Sequence, residues 1–211
     1  MIIAIDGPAG AGKSTIAKRV AERKGMIYVD TGAMYRAMAL YMIRKRVDLS
    51  DTALIAEKCE DAEITIRYEG GVQCVFLDGE NVNDLIRTEE VSEAASKTSV
   101  VPEVRKKLVS LQQKIAITES VVMDGRDIGT KVLPNARLKI FLTASTRVRA
   151  RRRFDELIKR GERAVLREIE DDIRERDRRD TTREESPLIQ AEDAVLIDAS
   201  EMTIEQVVER I

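Results

Sequence analysis

The sequence contains no histidine, no tryptophan and only two cysteines in 211 residues. Without histidine, Ser-His-Asp hydrolysis, His-Cys zinc sites and imidazole proton shuttling are excluded together. Any catalysis must run on Lys, Arg, Asp and a metal bound through oxygen, which is the toolkit of phosphoryl transfer. Cys59 and Cys74 cannot build a disulfide framework and are expected to be plain thiols in a reducing compartment. Apolar runs such as Ala194 to Ile197 are far too short to cross a bilayer. The opening Met-Ile-Ile-Ala-Ile-Asp lacks the basic flank and long apolar stretch of a signal peptide, so a cytoplasmic location is expected. The 36 basic and 38 acidic residues nearly cancel, leaving no global field for nucleic acid or an anionic membrane.

What is present is enough for a sizeable core: 43% of residues are hydrophobic under a surface that makes 35% of the chain charged. One domain spanning 1–211, carrying a small insert, is expected. Ile2 to Ile5 reads as a strand buried on both faces, and Ser14 to Lys24 as a helix after a Gly- and Ala-rich loop. Met26 to Val29 reads as a second strand, with Thr31 capping a helix that runs to Arg44. Asp51 to Asp61 reads as a short helix. Glu63 to Tyr68 and Val72 to Leu77 around Gly70-Gly71 carry a hairpin signal, an insert (63–77) in an otherwise alternating pattern. Helices are expected over Glu89 to Ser99, Pro102 to Ile117, Ser145 to Arg160, Arg163 to Arg179 and Thr203 to Ile211. Strands are expected at Val121 to Met123, Leu138 to Leu142 and Ala194 to Ile197, the last as the fifth core strand. The fold class is α/β, a five-stranded parallel sheet with helices on both faces.

Gly7-Pro8-Ala9-Gly10-Ala11-Gly12-Lys13-Ser14 fits G-x-x-x-x-G-K-[ST] between an apolar strand and a periodic helix. Glycines let such a loop turn its N–H groups around a phosphate; Lys13 would reach the β/γ-phosphates and Ser14 would offer its hydroxyl to Mg²⁺. No Asn-Lys-x-Asp occurs to read guanine, so a small kinase that also holds an acceptor is favoured. On the acceptor side, Asp30-Thr31-Gly32-Ala33-Met34-Tyr35-Arg36 follows the second strand, and Asp124-Gly125-Arg126-Asp127-Ile128-Gly129 follows another. Both stand where open α/β sheets bind ligands. Arg147 to Arg183 holds fourteen basic against ten acidic residues, mostly explicable as salt-bridged helix faces. Within it, Arg149, Arg151, Arg152 and Arg153 crowd before Gly161, as in an arm closing on phosphates. Arg176, Asp180 and Arg183 fall at i, i+4, i+7 on one helix face.

These motifs, with Ile86-Arg87-Thr88 and Arg-Asp-x-x-Asp-x-x-Arg (Arg176 to Arg183), stand in an order that resembles the bacterial-type cytidylate kinase family over nearly the whole chain. The resemblance implies a P-loop nucleoside monophosphate kinase fold, an NMP-binding region over about 31–117 and a lid over about 149–165. It implies that Gly7 to Thr15, with Arg149 and Arg153, bind ATP. It implies further that Arg36, Arg126 and Arg183 bind the CMP phosphate, that Arg176 and Asp180 reach the sugar, and that Thr31, Ser96, Arg105 and Asp127 read cytosine. Lys13, Arg126 and Arg183 would be catalytic, and Asp124 would hold Mg²⁺ with Ser14, through a water.

The implied reaction is ATP + (d)CMP → ADP + (d)CDP. The acceptor phosphate is already mostly ionised near neutral pH, its second pKa being ~6, so no protein base is needed. Expected partners are ATP, CMP and dCMP, without nucleic acid or membrane, and the expected state is a monomer. The alternatives are a P-loop kinase for another small acceptor, where Asp30 or Asp127 would serve as base, and a non-catalytic NTP switch.

Overall fold

The computed structural model describes residues 1–211 and opens with β1 (Ile2–Asp6), buried from Ile3 onward. After the glycine loop come α1 (Lys13–Lys24), β2 (Ile27–Asp30), α2 (Thr31–Arg44) and α3 (Thr52–Cys59). The hairpin β3 (Ile64–Glu69) and β4 (Val72–Leu77) is extended by a short β5 (Glu80–Asn81), which sequence reasoning missed. A 3₁₀ turn (Leu85–Arg87), α4 (Glu89–Thr98) and α5 (Pro102–Thr118) lead to β6 (Val121–Gly125). A π-helical turn (Ile128–Val132), β7 (Leu138–Thr143), α6 (Thr146–Lys159), α7 (Leu166–Thr182), β8 (Val195–Asp198) and α8 (Ile204–Arg210) complete the chain. The five-stranded sheet has the order β2-β6-β1-β7-β8, and β3-β4-β5 forms a separate antiparallel sheet.

The chain forms two compact units, residues 1–26 with 121–211, and residues 27–120. In the first, β1 pairs in parallel with β6 on one side and β7 on the other, with Ile5 opposite Asp124 and Asp6 opposite both Gly125 and Phe141. That register brings the glycine loop, the segment after β6 and the segment after β7 to one edge. Ile3, Ala4, Ile5, Val121, Val122 and Met123 are all fully buried, the near-continuous apolar pattern of strands covered on both sides. Ala194 to Ile197, expected as a core strand, departs from this. β8 is an edge strand paired only to β7, with Val195 46% and Leu196 51% exposed. A short apolar run reads the same at an edge as in a core, because periodicity alone does not separate them.

The second unit, with the expected acceptor region inside it, has its own core. Met34, Met38 and Met42, one turn apart on α2, are completely buried, and α2 packs against α4 and β4. Unbranched methionines suit such irregular gaps between helices and a twisted hairpin. The cap of α2 is Asp30 rather than the expected Thr31: its carboxylate accepts from Ala33 N–H at 2.9 Å, and Thr31 is already helical. Asp is as good an N-cap as Thr, and the strand's last residue is free to serve. In the first unit, α7 starts and ends three residues later than expected, since Val165 is extended and no stop signal follows Arg179. The later end keeps Arg176 and Asp180 on the helix and leaves Arg183 as its C-terminal cap.

Candidate active site

Three glycines shape the loop after β1, and Gly7 shows why. Its φ is 149°, and a Cβ there would collide with the carbonyl oxygen of Leu142 on β7. Gly12, at φ 91°, turns the chain into α1 in the left-handed region. The first-turn N–H groups of α1, which have no partners within their own helix, make this end a natural place for an anion. Lys13 Nζ bends back onto Pro8 O at 2.8 Å and is buried. Burial, then the charge of Arg126, push the Lys13 ammonium well below the ordinary lysine range, while Asp124, Asp180 and Asp6 pull the other way. An incoming phosphate would relieve that repulsion. Beside the loop lies a cleft of about 620 Å³, walled by Gly10 to Ile16, by Arg152, Asp155, Glu156 and Lys159 on α6, and by Met202, Thr203, Ile204 and Val207 around the start of α8.

Ser14 Oγ donates to Asp124 Oδ2 at 2.9 Å, so a hydroxyl and a buried carboxylate meet at the start of α1. Two oxygen donors beside a phosphate loop fit Mg²⁺, which takes one or two protein ligands and completes its shell from phosphates and water. No cluster of three or more acidic or thiol groups competes for a metal elsewhere.

The segment after β6 is held by Asp6, a residue that sequence reasoning passed over. Its two carboxylate oxygens accept from Ile128 N–H at 2.8 Å and Gly129 N–H at 2.7 Å. Burial lifts the Asp6 carboxyl to about 6 despite those two bonds. A lone acid ending an apolar strand was the available signal. Next to this turn, Arg126 Nε donates to Asp180 Oδ2 at 2.8 Å, and Arg183 Nη1 lies 3.9 Å from Asp180 Oδ1. Arg183 Nε donates to Ser186 O at 2.7 Å. Burial alone would drive Asp180 up, but Arg126, Arg183 and Arg176 bring it below the ordinary aspartate range. Burial likewise opposes the Arg126 charge, and Asp180, Asp124 and Asp177 overcome it. Asp127 is buried, its carbonyl accepting from Lys131 and Val132 N–H in the π-helical turn.

The arginines of α6 divide differently from the expected arm. Arg149 is only 4% exposed and is engaged by Ala9 O, Ala144 O, Thr146 Oγ1 and the Asp177 carboxylate. Arg153 reaches Glu156 at 3.5 Å and does not line the cleft, where Arg152 and Lys159 stand instead.

The second unit holds its candidate residues as follows. Arg36 Nη2 donates to Asp30 Oδ2 at 3.0 Å. Asp30, considered above as a base, is thereby committed to Arg36 and to capping α2. Gln73, unremarked in the sequence, clamps the same residue: its Oε1 accepts from Asp30 N–H at 2.8 Å and its Nε2 donates to Asp30 O at 3.1 Å. Thr31, Ser96 and Arg105 are all buried polar residues. Arg105 Nη1 donates to Ser99 O at 3.2 Å, with its guanidinium 5.4 Å from the Tyr35 ring centre.

Residues 3–211 match the family model described as Cytidylate kinase. The chain is 50% identical over 209 residues to a cytidylate kinase of Caldicellulosiruptor bescii, covering 99% of this chain and 92% of that one. A cytidylate kinase of Alkaliphilus oremlandii is 50% identical over 209 residues, with 99% and 94% covered. One from Pelotomaculum thermopropionicum is 51% identical over 211 residues, with 99% and 93% covered.

Proposed function

The chain belongs to the cytidylate kinase family, and from that premise we propose how its residues divide the work of the reaction. It phosphorylates CMP and dCMP to CDP and dCDP at the expense of ATP. The phosphate loop, Gly7 to Thr15, receives the ATP phosphates on its N–H groups, and the adjoining cleft takes the rest of the donor, with Arg153 in the lid at 149–165. Lys13 leaves Pro8 O to meet charge on the transferring phosphoryl group. Arg36, Arg126 and Arg183 hold the acceptor phosphate, Arg176 and Asp180 the sugar, and Thr31, Ser96, Arg105 and Asp127 the base. Ser14 and Asp124 would hold Mg²⁺ bound to ATP. When bound, that ion neutralises charge on the β- and γ-phosphates and orients them.

No residue acts as a base in this reading. The acceptor oxygen belongs to a phosphate whose second pKa is ~6, so near neutral pH it arrives ready to attack. What the chain supplies is alignment and positive charge at Lys13, Arg126 and Arg183. Closure of the lid and of the acceptor region would exclude water from the donor. No helix is long and apolar enough to cross a membrane, and a net charge of −2 provides no global attraction for nucleic acid; in this reading the enzyme works as a cytoplasmic monomer on free nucleotides.

The observation that carries this assignment is the convergence of Arg126 and Arg183 on Asp180, within electrostatic reach of a buried, charge-stressed Lys13. Cations that share buried carboxylates, as these share Asp180, can be redirected onto an anionic phosphate. Coupled ADP production with CMP, dCMP, UMP, AMP and dTMP as acceptors tests it. CMP and dCMP should support turnover well above the rest in the parent. Charge-removing variants at Arg126 and Arg183 should lose turnover while keeping their circular dichroism.

A further inference from the structure

Asp177 and Asp180 lie one turn apart on α7, and each carboxylate holds a different arginine. Asp180 takes Arg126, and Asp177 takes Arg149 in a two-pronged pair with Nη2···Oδ2 2.6 Å and Nη1···Oδ1 3.1 Å. The other N–H groups of Arg149 go to Ala144 O (2.8 Å), Thr146 Oγ1 (3.2 Å) and Ala9 O (3.0 Å). A guanidinium has five N–H groups, and here all five are used. Ala9 is inside the phosphate loop, next to the Pro8 carbonyl that takes Lys13. The stem of Arg149 also lies under that loop: a Cβ on Gly10 would stand 3.4 Å from Arg149 Cβ.

We propose that the Arg149–Asp177 pair is a positioning device that ties the phosphate loop to the helix holding Arg126, so that donor and acceptor contacts are set together. Arg149 then serves ATP through Ala9, without touching it. Turning Arg149, whose side chain is 4% exposed, towards a phosphate would strip three backbone and side-chain acceptors of their partner and leave the half-buried Asp177 without its cation. Lysine cannot substitute, because three donors on a point charge cannot reproduce a planar fork of five. Any displacement of the 177–180 turn moves both arginines at once. The inference deepens the kinase reading above and rests on it for its kinetic arm alone.

Two measurements test it. Hydrogen exchange of the Ala9 to Gly12 amides, made without nucleotide, should run at least about tenfold faster in Asp177→Asn, although the substitution is on α7. In steady-state kinetics, Asp177→Asn and Arg149→Lys should each raise KM for CMP as well as for ATP, with kcat/KM falling about 10- to 100-fold, and the double variant should lose no more than the worse single one. Asp177→Glu, which keeps the charge, should recover part of the loss, and carries both measurements if the Asn variant does not fold. If Arg149 instead touches ATP, Arg149→Lys raises KM for ATP alone and Asp177→Asn behaves as the parent. That result, or unchanged exchange in the loop, overturns the proposal. Failure of the kinase reading itself would show separately, as a parent enzyme with no preference in the acceptor panel.

Discussion

Ser14 Oγ donates to Asp124 Oδ2 at 2.9 Å, joining the first turn of α1 to the end of β6. The two residues meet because β1 and β6 are parallel neighbours in register, Ile5 opposite Asp124. A cation bound there would replace the shared proton contact with two oxygen ligands. Asp124→Asn keeps the size and an acceptor but removes the charge. We expect the Mg²⁺ concentration for half-maximal rate to rise about tenfold or more, while Ser14→Ala gives a smaller shift in the same direction. An unchanged Mg²⁺ dependence in Asp124→Asn would remove that residue from the site.

Lys13 carries a second expectation. Burial and Arg126 hold its pKa below the ordinary lysine range. In the pH range between that lowered value and the ordinary one, the unfolded chain binds more protons than the folded one. This group therefore makes the unliganded protein more stable as pH rises through that range. Binding of an anionic nucleotide restores the charge, so protons should be taken up on ATP binding at about pH 8, where a phosphate with a second pKa of ~6 has little left to exchange. Calorimetry in two buffers of different ionisation heat measures this. Lys13→Met should abolish the uptake and lower kcat by ~10²- to 10³-fold. Equal heats in both buffers for the parent would contradict it.

Asp6 allows a test in which binding and stability are read separately. Its carboxyl, at about 6 against an ordinary 3.8, keeps a proton in the folded state that the unfolded chain has lost. Stability from this group therefore falls as pH rises between roughly 4 and 6, by about 3 kcal/mol in all. Asp6→Asn cannot titrate, so the stability advantage of the parent should be largest at acid pH and shrink towards neutrality. Denaturant melts at several pH values check this, and a constant gap would show that Asp6 does not titrate in that range. Because Asn offers only one acceptor to the Ile128 and Gly129 N–H groups, KM for CMP should rise about tenfold with KM for ATP little changed.

Much of the fold was legible because the sequence states it twice, in pattern and in punctuation. The phosphate loop could be placed from residues alone, since its chemistry requires glycine where φ is positive, between an apolar strand and a helix. The hairpin was legible from alternation around Gly70-Gly71. What escaped depended on distance in sequence. Nothing near Asp6 announces that its oxygens serve residues 122 and 123 positions away. Arg149 looked like one of four equivalent arginines, and only the packing of α6 against α7 separates it from Arg153 by giving it Asp177. The edge position of β8 was hidden for the same reason, because strand order is a property of the whole sheet.

Asp127 follows Arg126, whose Nε is held by Asp180, and its own carbonyl anchors the π-helical turn through Lys131 and Val132. Those two bonds hold the backbone there through the carbonyl. Cytosine presents an amino donor beside an unprotonated ring nitrogen, and uracil reverses both. In the proposed reading the Asp127 carboxylate would accept from that amino group, and the guanidinium of Arg105 would donate to the ring nitrogen or the neighbouring carbonyl. Uracil in the same place would set a carbonyl against a carboxylate and an N–H against a donor. A site matched in this way rejects the wrong partner by up to ~10⁴-fold, because its polar groups are left unpaired. Asp127→Asn removes the mismatch on one side, since its amide can offer a donor to the uracil carbonyl. The ratio of kcat/KM for CMP over UMP should therefore fall at least about tenfold, with KM for ATP unchanged. If Asp127 only braced the turn, both acceptors would lose rate together and the ratio would stand. Measuring both acceptors with parent and variant decides between the two, and an unchanged ratio would take base recognition away from Asp127 while leaving Arg105 as the residue to test.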